Sequence, residues 1–114
     1  MKILSSAALL SLFSLGCATA VPAERISAAD SSIRAAEEVG APKVPQAALH
    51  LQLAKEEIGL AQKLIADGDP ERADGILTRA QADAELAVAE AREAPMKVEA
   101  AQEIDKARSL MKQR

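Results

Sequence analysis

His50 and Cys17 are the only histidine and the only cysteine in the 114-residue chain. Their types admit nucleophilic, acid–base or metal chemistry, but their surroundings do not assemble it. Catalysis through His50 requires a nucleophile or a carboxylate in a defined role, and a zinc site requires several ligands. Cys17 lies far upstream, and His50 sits beside Ala47 and Leu51, where it reads as a boundary residue of a helix. Carboxylates are plentiful, at Glu37, Glu38, Glu56, Glu57, Glu90 and Glu93, and their spacing puts them mostly on polar helix faces. A di-iron bundle needs inward-facing Glu-x-x-His motifs, yet the residue three before His50 is Ala47. A carboxylate pair acting on sugar would want aromatic platforms, and Phe13 is the one aromatic residue. Arg34–Glu38 and Glu93–Lys97 have ion-pair spacing on a helix, with about 0.3 kcal/mol each at stake. The expectation is a non-enzyme with no metal, no cofactor and no small-molecule substrate.

The elements that carry these residues begin with a targeting pattern. Lys2 is followed by the apolar run Ile3 to Leu15 and then by the small residues Gly16-Cys17-Ala18-Thr19-Ala20, the order an export signal requires. The run is shorter than the roughly 20 residues that span a bilayer. Ser14-Leu15-Gly16-Cys17 resembles the lipobox of bacterial lipoproteins, in which the cysteine is lipidated and becomes the new N-terminus. It departs from that pattern in having its leucine at Leu15 and Ser14 one place before. Ala18-Thr19-Ala20 offers the rival, an ordinary cleavage site. The lipobox is the preferred reading, with residues 1–16 as signal, lipidation at Cys17 and a tether over 17–25. In lipoproteins of this kind a residue other than Asp after the cysteine, here Ala18, implies the outer membrane of a Gram-negative cell. The alternative is a soluble periplasmic protein.

Loss of Lys2 leaves thirteen basic against seventeen acidic side chains, a net charge of −4. Such a chain, with no aromatic residue to stack bases and no Gly-rich phosphate loop, is a poor nucleic-acid binder.

The rest reads as all-α. A first helix starts between Pro22 and Ser27, with Ser27 to Asp30 resembling a capping box, and places Ile26, Ala29, Ile33 and Ala36 on one face. Gly40 stops it, and Pro42 and Pro45 make 41–45 a loop. A second helix runs from Pro45 or Gln46 to Asp67. Gly68 ends it, and Asp69-Pro70-Glu71 supplies the cap, first-turn proline and acidic start of a third. So short a turn makes the two antiparallel neighbours. Their apolar positions agree: Ile65 with Ala73, Ala61 with Leu77, Ile58 with Ala80, Ala54 with Ala84, Leu51 with Ala87 and Ala47 with Ala91 form six layers without a slip. A second stripe on the middle helix, Leu49, Leu53, Leu60 and Leu64, calls for another neighbour. The first helix fills that place, with Ile33 facing Leu53 and Ile26 facing Leu60. Gly59 and Gly75, near each other across the turn, read as points of close helix packing.

The expected fold is a small antiparallel three-helix bundle over 26–94, built on a long helical hairpin with helix two in the middle. A C-terminal helical extension over 95–114 is kinked or broken at Pro95, where an interior proline costs about 3 kcal/mol. Beyond it Val98, Ala101, Ile104 and Met111 make an apolar stripe without a partner in the hairpin. It either folds back, packs on another copy or meets a different protein, or else the segment is a frayed, solvated, alanine-rich helix.

From Leu49 onward the pattern Ala54-Lys55, Ile58, Ala61, Leu64-Ile65-Ala66-Asp67-Gly68-Asp69, Ala73, Leu77 and Ala80-Gln81-Ala82-Asp83-Ala84-Glu85-Leu86-Ala87 resembles a family of short, alanine-rich bacterial envelope proteins catalogued as a domain of unknown function. Members typically follow a lipoprotein signal, and some precede an OmpA-like domain. Pro95 departs from the family, whose last helix usually looks continuous. The resemblance implies an envelope role and carries over no catalytic residue. The expectation is a structural or protein-interaction module held to a membrane through Cys17, or else a soluble periplasmic adaptor or small chaperone.

Overall fold

The structure is a computed structural model, and it describes residues 20, 21 and 23–114; the expected signal and lipidation site, Cys17 included, lie outside the described residues. Three helices make up almost all of the described chain: α1 (Ala23–Glu38), α2 (Pro45–Ala66) and α3 (Pro70–Lys112), with a 3₁₀ turn at Ala41–Lys43 between the first two. No strand occurs among the described residues. The fold is all-α, as the sequence implies.

Local chemistry sets the ends of these helices. α1 has already formed by Ala23, so Ser27 lies inside it and is not its cap. The chain leaves α1 through Gly40, whose φ of 86° puts it in the left-handed region, where a side chain is strained. The expected loop at 41–45 is partly a 3₁₀ turn, which lets Ala41 become fully buried. Val44 is extended, as a residue before proline prefers, and Pro45 opens α2.

At the other end of α2, Gly68 (φ 82°) makes a paired closure. Its N–H donates to the Ile65 carbonyl at 3.1 Å, and the Asp69 N–H donates to the Leu64 carbonyl at 2.9 Å. This is a Schellman motif, which satisfies carbonyls the helix would leave open. Asp69 serves both helices, because its side chain accepts a 3.2 Å hydrogen bond from the Arg72 N–H and caps α3. Two-way use of one residue makes the turn this short.

One core joins the three helices. α2 buries Ala47, Leu51, Ala54, Ile58, Ala61 and Leu64, and α3 buries Ala73, Leu77, Ala80, Ala84, Ala87 and Ala91. The expected seam is present in all but its last layer, where Leu64 takes the place given to Ile65, which is 36% exposed. The step after Ala61 is therefore three residues, with Leu64 inside and Ile65 at the edge of the core. Alanine supplies eleven of the sixteen buried hydrophobic residues, which lets the helix axes come close.

α1 buries Ala29, Ile33 and Ala36, the face expected of it. Its placement is different from the expectation. It packs mainly on α3 and only lightly on α2, so α3 and not α2 has the two helical neighbours. Leu49, Leu53 and Leu60 are 59%, 38% and 45% exposed, so the pairs of Ile33 with Leu53 and Ile26 with Leu60 cover little. The alanine-lined flank of α3 admits a close neighbour, whereas the leucine flank of α2 would hold one away. Gly59 and Gly75 are not close-packing points either: both are exposed, and a Cβ added at either would meet nothing within 4 Å.

At Pro95 the helix is not broken. α3 is a single helix of 43 residues with Pro95 inside it. Proline removes one backbone donor and crowds the carbonyl four residues earlier, but Ala, Met, Lys and Glu around it favour helix. The position also matters. Pro95 stands next to the level at which α2 begins, so the proline falls where α3 leaves its neighbours. No residue of α3 after it is buried.

Candidate functional site

The hairpin half of the molecule carries polar links between its helices. Arg25 on α1 donates from Nε to Asp74 Oδ1 of α3 at 2.7 Å and from Nη2 to Asp74 Oδ2 at 3.2 Å. Lys55 of α2 pairs with Glu37 of α1. Arg79 of α3 donates from Nε to Glu57 of α2 at 2.8 Å, and the Glu57 side chain is only 12% exposed. These links fix the directions of the helices. α1 runs antiparallel to α2, and its first turn lies beside Asp74, close to the Gly68 turn.

His50 is the centre of the group that sequence reasoning passed over. Its Nδ1 is 3.0 Å from Asp83 Oδ1, and its Nε2 is 3.8 Å from Glu90 Oε1. The three side chains are 20–26% exposed. Asp83 and Glu90 are seven residues apart on one face of α3, two helical turns, and His50 bridges them from α2. Glu90 Oε1 is the oxygen nearest the ring, and Glu90 Oε2 is buried and unpartnered. The two carboxylates approach different ring nitrogens, so one ion could not sit against both and the ring together. Among the described residues no group of three or more potential ligands has a metal-holding arrangement. Chemically the cluster is a polar clamp between α2 and α3. The seam register was the available signal, because it places His50 opposite Val88, between Asp83 and Glu90.

The remaining carboxylates singled out from the sequence are exposed, apart from Glu57 and Glu90. The Glu93–Lys97 pair forms at 3.1 Å, while Arg34 and Glu38 do not come within ion-pair distance of each other.

The projecting half offers apolar surface. Val98, Ile104 and Met111 are 58%, 54% and 70% exposed, and Ala101 is exposed too. They do not make one stripe, since at about 100° per residue Val98 and Met111 lie roughly 140° apart around the helix. Met96 and Leu110, at 59% and 58% exposure, lie within about 40° of each other around the helix. Upstream, Leu86 is 42% exposed on the side of α3 away from α2. No helix among the described residues is long and apolar enough to cross a membrane.

Comparison with known proteins adds a family. No curated protein and no solved structure matches the chain. The family described as "Domain of unknown function (DUF4398)" matches residues 24–103, which takes in α1, α2 and most of α3, with Pro95 inside the match. The chain belongs to that family.

Proposed function

We propose that the chain is a non-catalytic envelope lipoprotein that works as a structural or protein-interaction module. Its body is a three-helix bundle of the antiparallel hairpin with α1, and α3 extends beyond it. Cys17 would hold it to the outer membrane, facing the periplasm. The observation that carries the reading is Cys17 itself, the one cysteine, placed directly after Lys2, the apolar run and Gly16.

The geometry is consistent with such a use. α1 starts beside the Gly68 turn, and α3 runs away from that turn. A tether at the N-terminus and the tip of α3 are therefore at opposite ends, separated by roughly 55–60 Å of helix at 1.5 Å per residue. Acyl chains on Cys17 would contribute about 0.8 kcal/mol per buried CH₂, so several chains would hold a small bundle firmly. The exposed apolar residues beyond Pro95 would then be carried away from the anchor.

Metabolic labelling with a palmitate analogue, comparing wild type with Cys17→Ala and followed by fractionation, tests this. Label that vanishes with the cysteine supports the lipoprotein. Ala18-Thr19-Ala20 favours a second reading, a soluble periplasmic adaptor or small chaperone. Unlabelled protein beginning at Val21 in the soluble fraction would put that reading in place of the first.

A further inference from the structure

We propose that the outer face of α3 is the contact surface of an antiparallel dimer, in which each projecting half lies along the exposed back of the other copy's hairpin half. The inference gives a partner to the interaction module above and does not depend on how Cys17 is processed. Opposite its seam with α2, α3 carries a second apolar stripe in alternating steps of three and four residues. It runs through Leu86, Ala89, Met96, Ala100, Ala107 and Leu110, all exposed, with Glu93 and Glu103 at the two intervening positions. Such spacing is the mark of a coiled-coil seam. Two copies related by a two-fold axis near Ala94 and Pro95 bring Ala89 to Ala100 and Leu86 to Glu103, while Ala107 and Leu110 reach Ala82 and Arg79 farther along the other copy's hairpin half.

Charge says which orientation and which register. In the parallel arrangement Arg92 would face Lys97 of the second copy, so like charges meet. In the antiparallel arrangement centred beside Pro95, Glu85 faces the second copy's Lys106 and Arg92 faces its Glu99. Each pair occurs twice by symmetry. A slip of one heptad either way puts Arg92 against Arg92 or against Lys106 and loses the match. Like charges across a seam select against the wrong partner geometry. Within the chain neither Arg92 nor Glu99 has an ion-pair partner among the described residues. Glu93 and Glu103 fall opposite Met96 and Leu86, so no two acids meet inside the stripe. α1 and α2 occupy the other sides of α3 and leave the path of the second copy open.

The test uses the full chain in a Cys17→Ala background, which removes both the anchor and the native thiol. Sedimentation equilibrium is expected to give twice the chain mass. Arg92→Glu is expected to raise the dimer dissociation constant about tenfold, as two attractive pairs become repulsive, and Arg92→Glu with Glu99→Arg is expected to restore it. The two positions are two turns apart on one helix, so the rescue can only come from the second copy. Circular dichroism of each variant separates lost pairing from lost folding. Ala89→Cys with Ala100→Cys is expected to form intermolecular disulfides readily, and Ala89→Cys alone far less. A chain that stays monomeric, a charge swap without rescue, or preferential linkage of Ala89→Cys to itself overturns the proposal. The monomeric outcome would leave the stripe to a different protein.

Discussion

From Pro70 to Ala94 the buried positions of α3 are five alanines and Leu77; from Pro95 to Lys112 nothing is buried, although Val98, Ile104, Leu110 and Met111 are bulkier than those alanines. The difference is not residue hydrophobicity. It is the presence of a helix opposite. α2 begins at Pro45, level with the end of the buried stretch, and an alanine facing a helix loses its whole surface while an isoleucine facing water keeps most of its own. Small residues suffice where a partner comes close, and large ones without a partner contribute little to folding.

The sharpest way to break that comparison is to place the same charge in each half. Leu77, 1% exposed, is the largest fully buried side chain. An unpaired carboxylate there has no partner in the core, so Leu77→Asp is expected to cost upwards of about 4 kcal/mol. A small alanine-rich fold has little stability to lose, and circular dichroism should show an unfolded chain at room temperature. Ile104→Asp, measured at a dilution where chains are separate, is expected to stay within about 0.5 kcal/mol of wild type. Equal losses at the two sites would mean that the projecting half is packed after all.

A smaller and more local effect is expected at the border. Pro95→Ala returns an N–H to the Ala91 carbonyl and removes the ring from the preceding turn. The gain reaches about 3 kcal/mol for a helix interior, but it falls on the segment beyond the hairpin. Amide exchange over 96–112 is expected to slow severalfold or more, while the melting of the hairpin moves little. Unchanged exchange there would show that Pro95 places no strain on the helix.

Much of this fold was legible in the sequence because a tight turn and a periodic pattern constrain each other. Gly68 and Asp69 fix where α2 stops and α3 starts, and from that point the alanine spacing determines the layers. What was not legible depends on competition between neighbours. Whether α1 lies on α2 or α3 turns on which flank admits a closer approach, and the leucines of α2 suggested the wrong one. Gly59 and Gly75 showed how a residue type can promise a contact that helix rotation does not deliver. At Pro95 a break was one of two expected outcomes, and strong helix formers around a single missing hydrogen bond carry the helix through it. At the candidate site, the apolar residues beyond Pro95 were visible, but their grouping was not, because a loose sequence spacing hid the 140° between Val98 and Met111. His50 was passed over for want of a catalytic partner, though its partners were a packing matter and lay on α3.

The smallest effect concerns the polar side of the same comparison, since the hairpin half has cross-helix links and the projecting half has only pairs within one helix. His50→Ala is expected to leave helicity intact and to lower stability by about 1 kcal/mol, the usual contribution of a partly buried hydrogen-bonded pair. Part of that loss is the stranding of Asp83, which a single substitution cannot separate from the interaction. A double-mutant cycle of His50→Ala and Asp83→Ala removes that ambiguity. With the pair at 3.0 Å and only about a quarter exposed, a coupling of roughly 0.5–1 kcal/mol is expected. The cycle with Glu90→Ala should give less, because its oxygen is 3.8 Å from the ring. By contrast, the Glu93–Lys97 pair, at 3.1 Å but with side chains 53% and 66% exposed, should couple by no more than about 0.3 kcal/mol. Distance alone would rank these pairs His50–Asp83, Glu93–Lys97, His50–Glu90; shielding from water would put both histidine pairs first. A Glu90 coupling above that of Glu93–Lys97 would establish that the neighbouring helix, and not the length of the contact, gives the polar links of the hairpin half their weight.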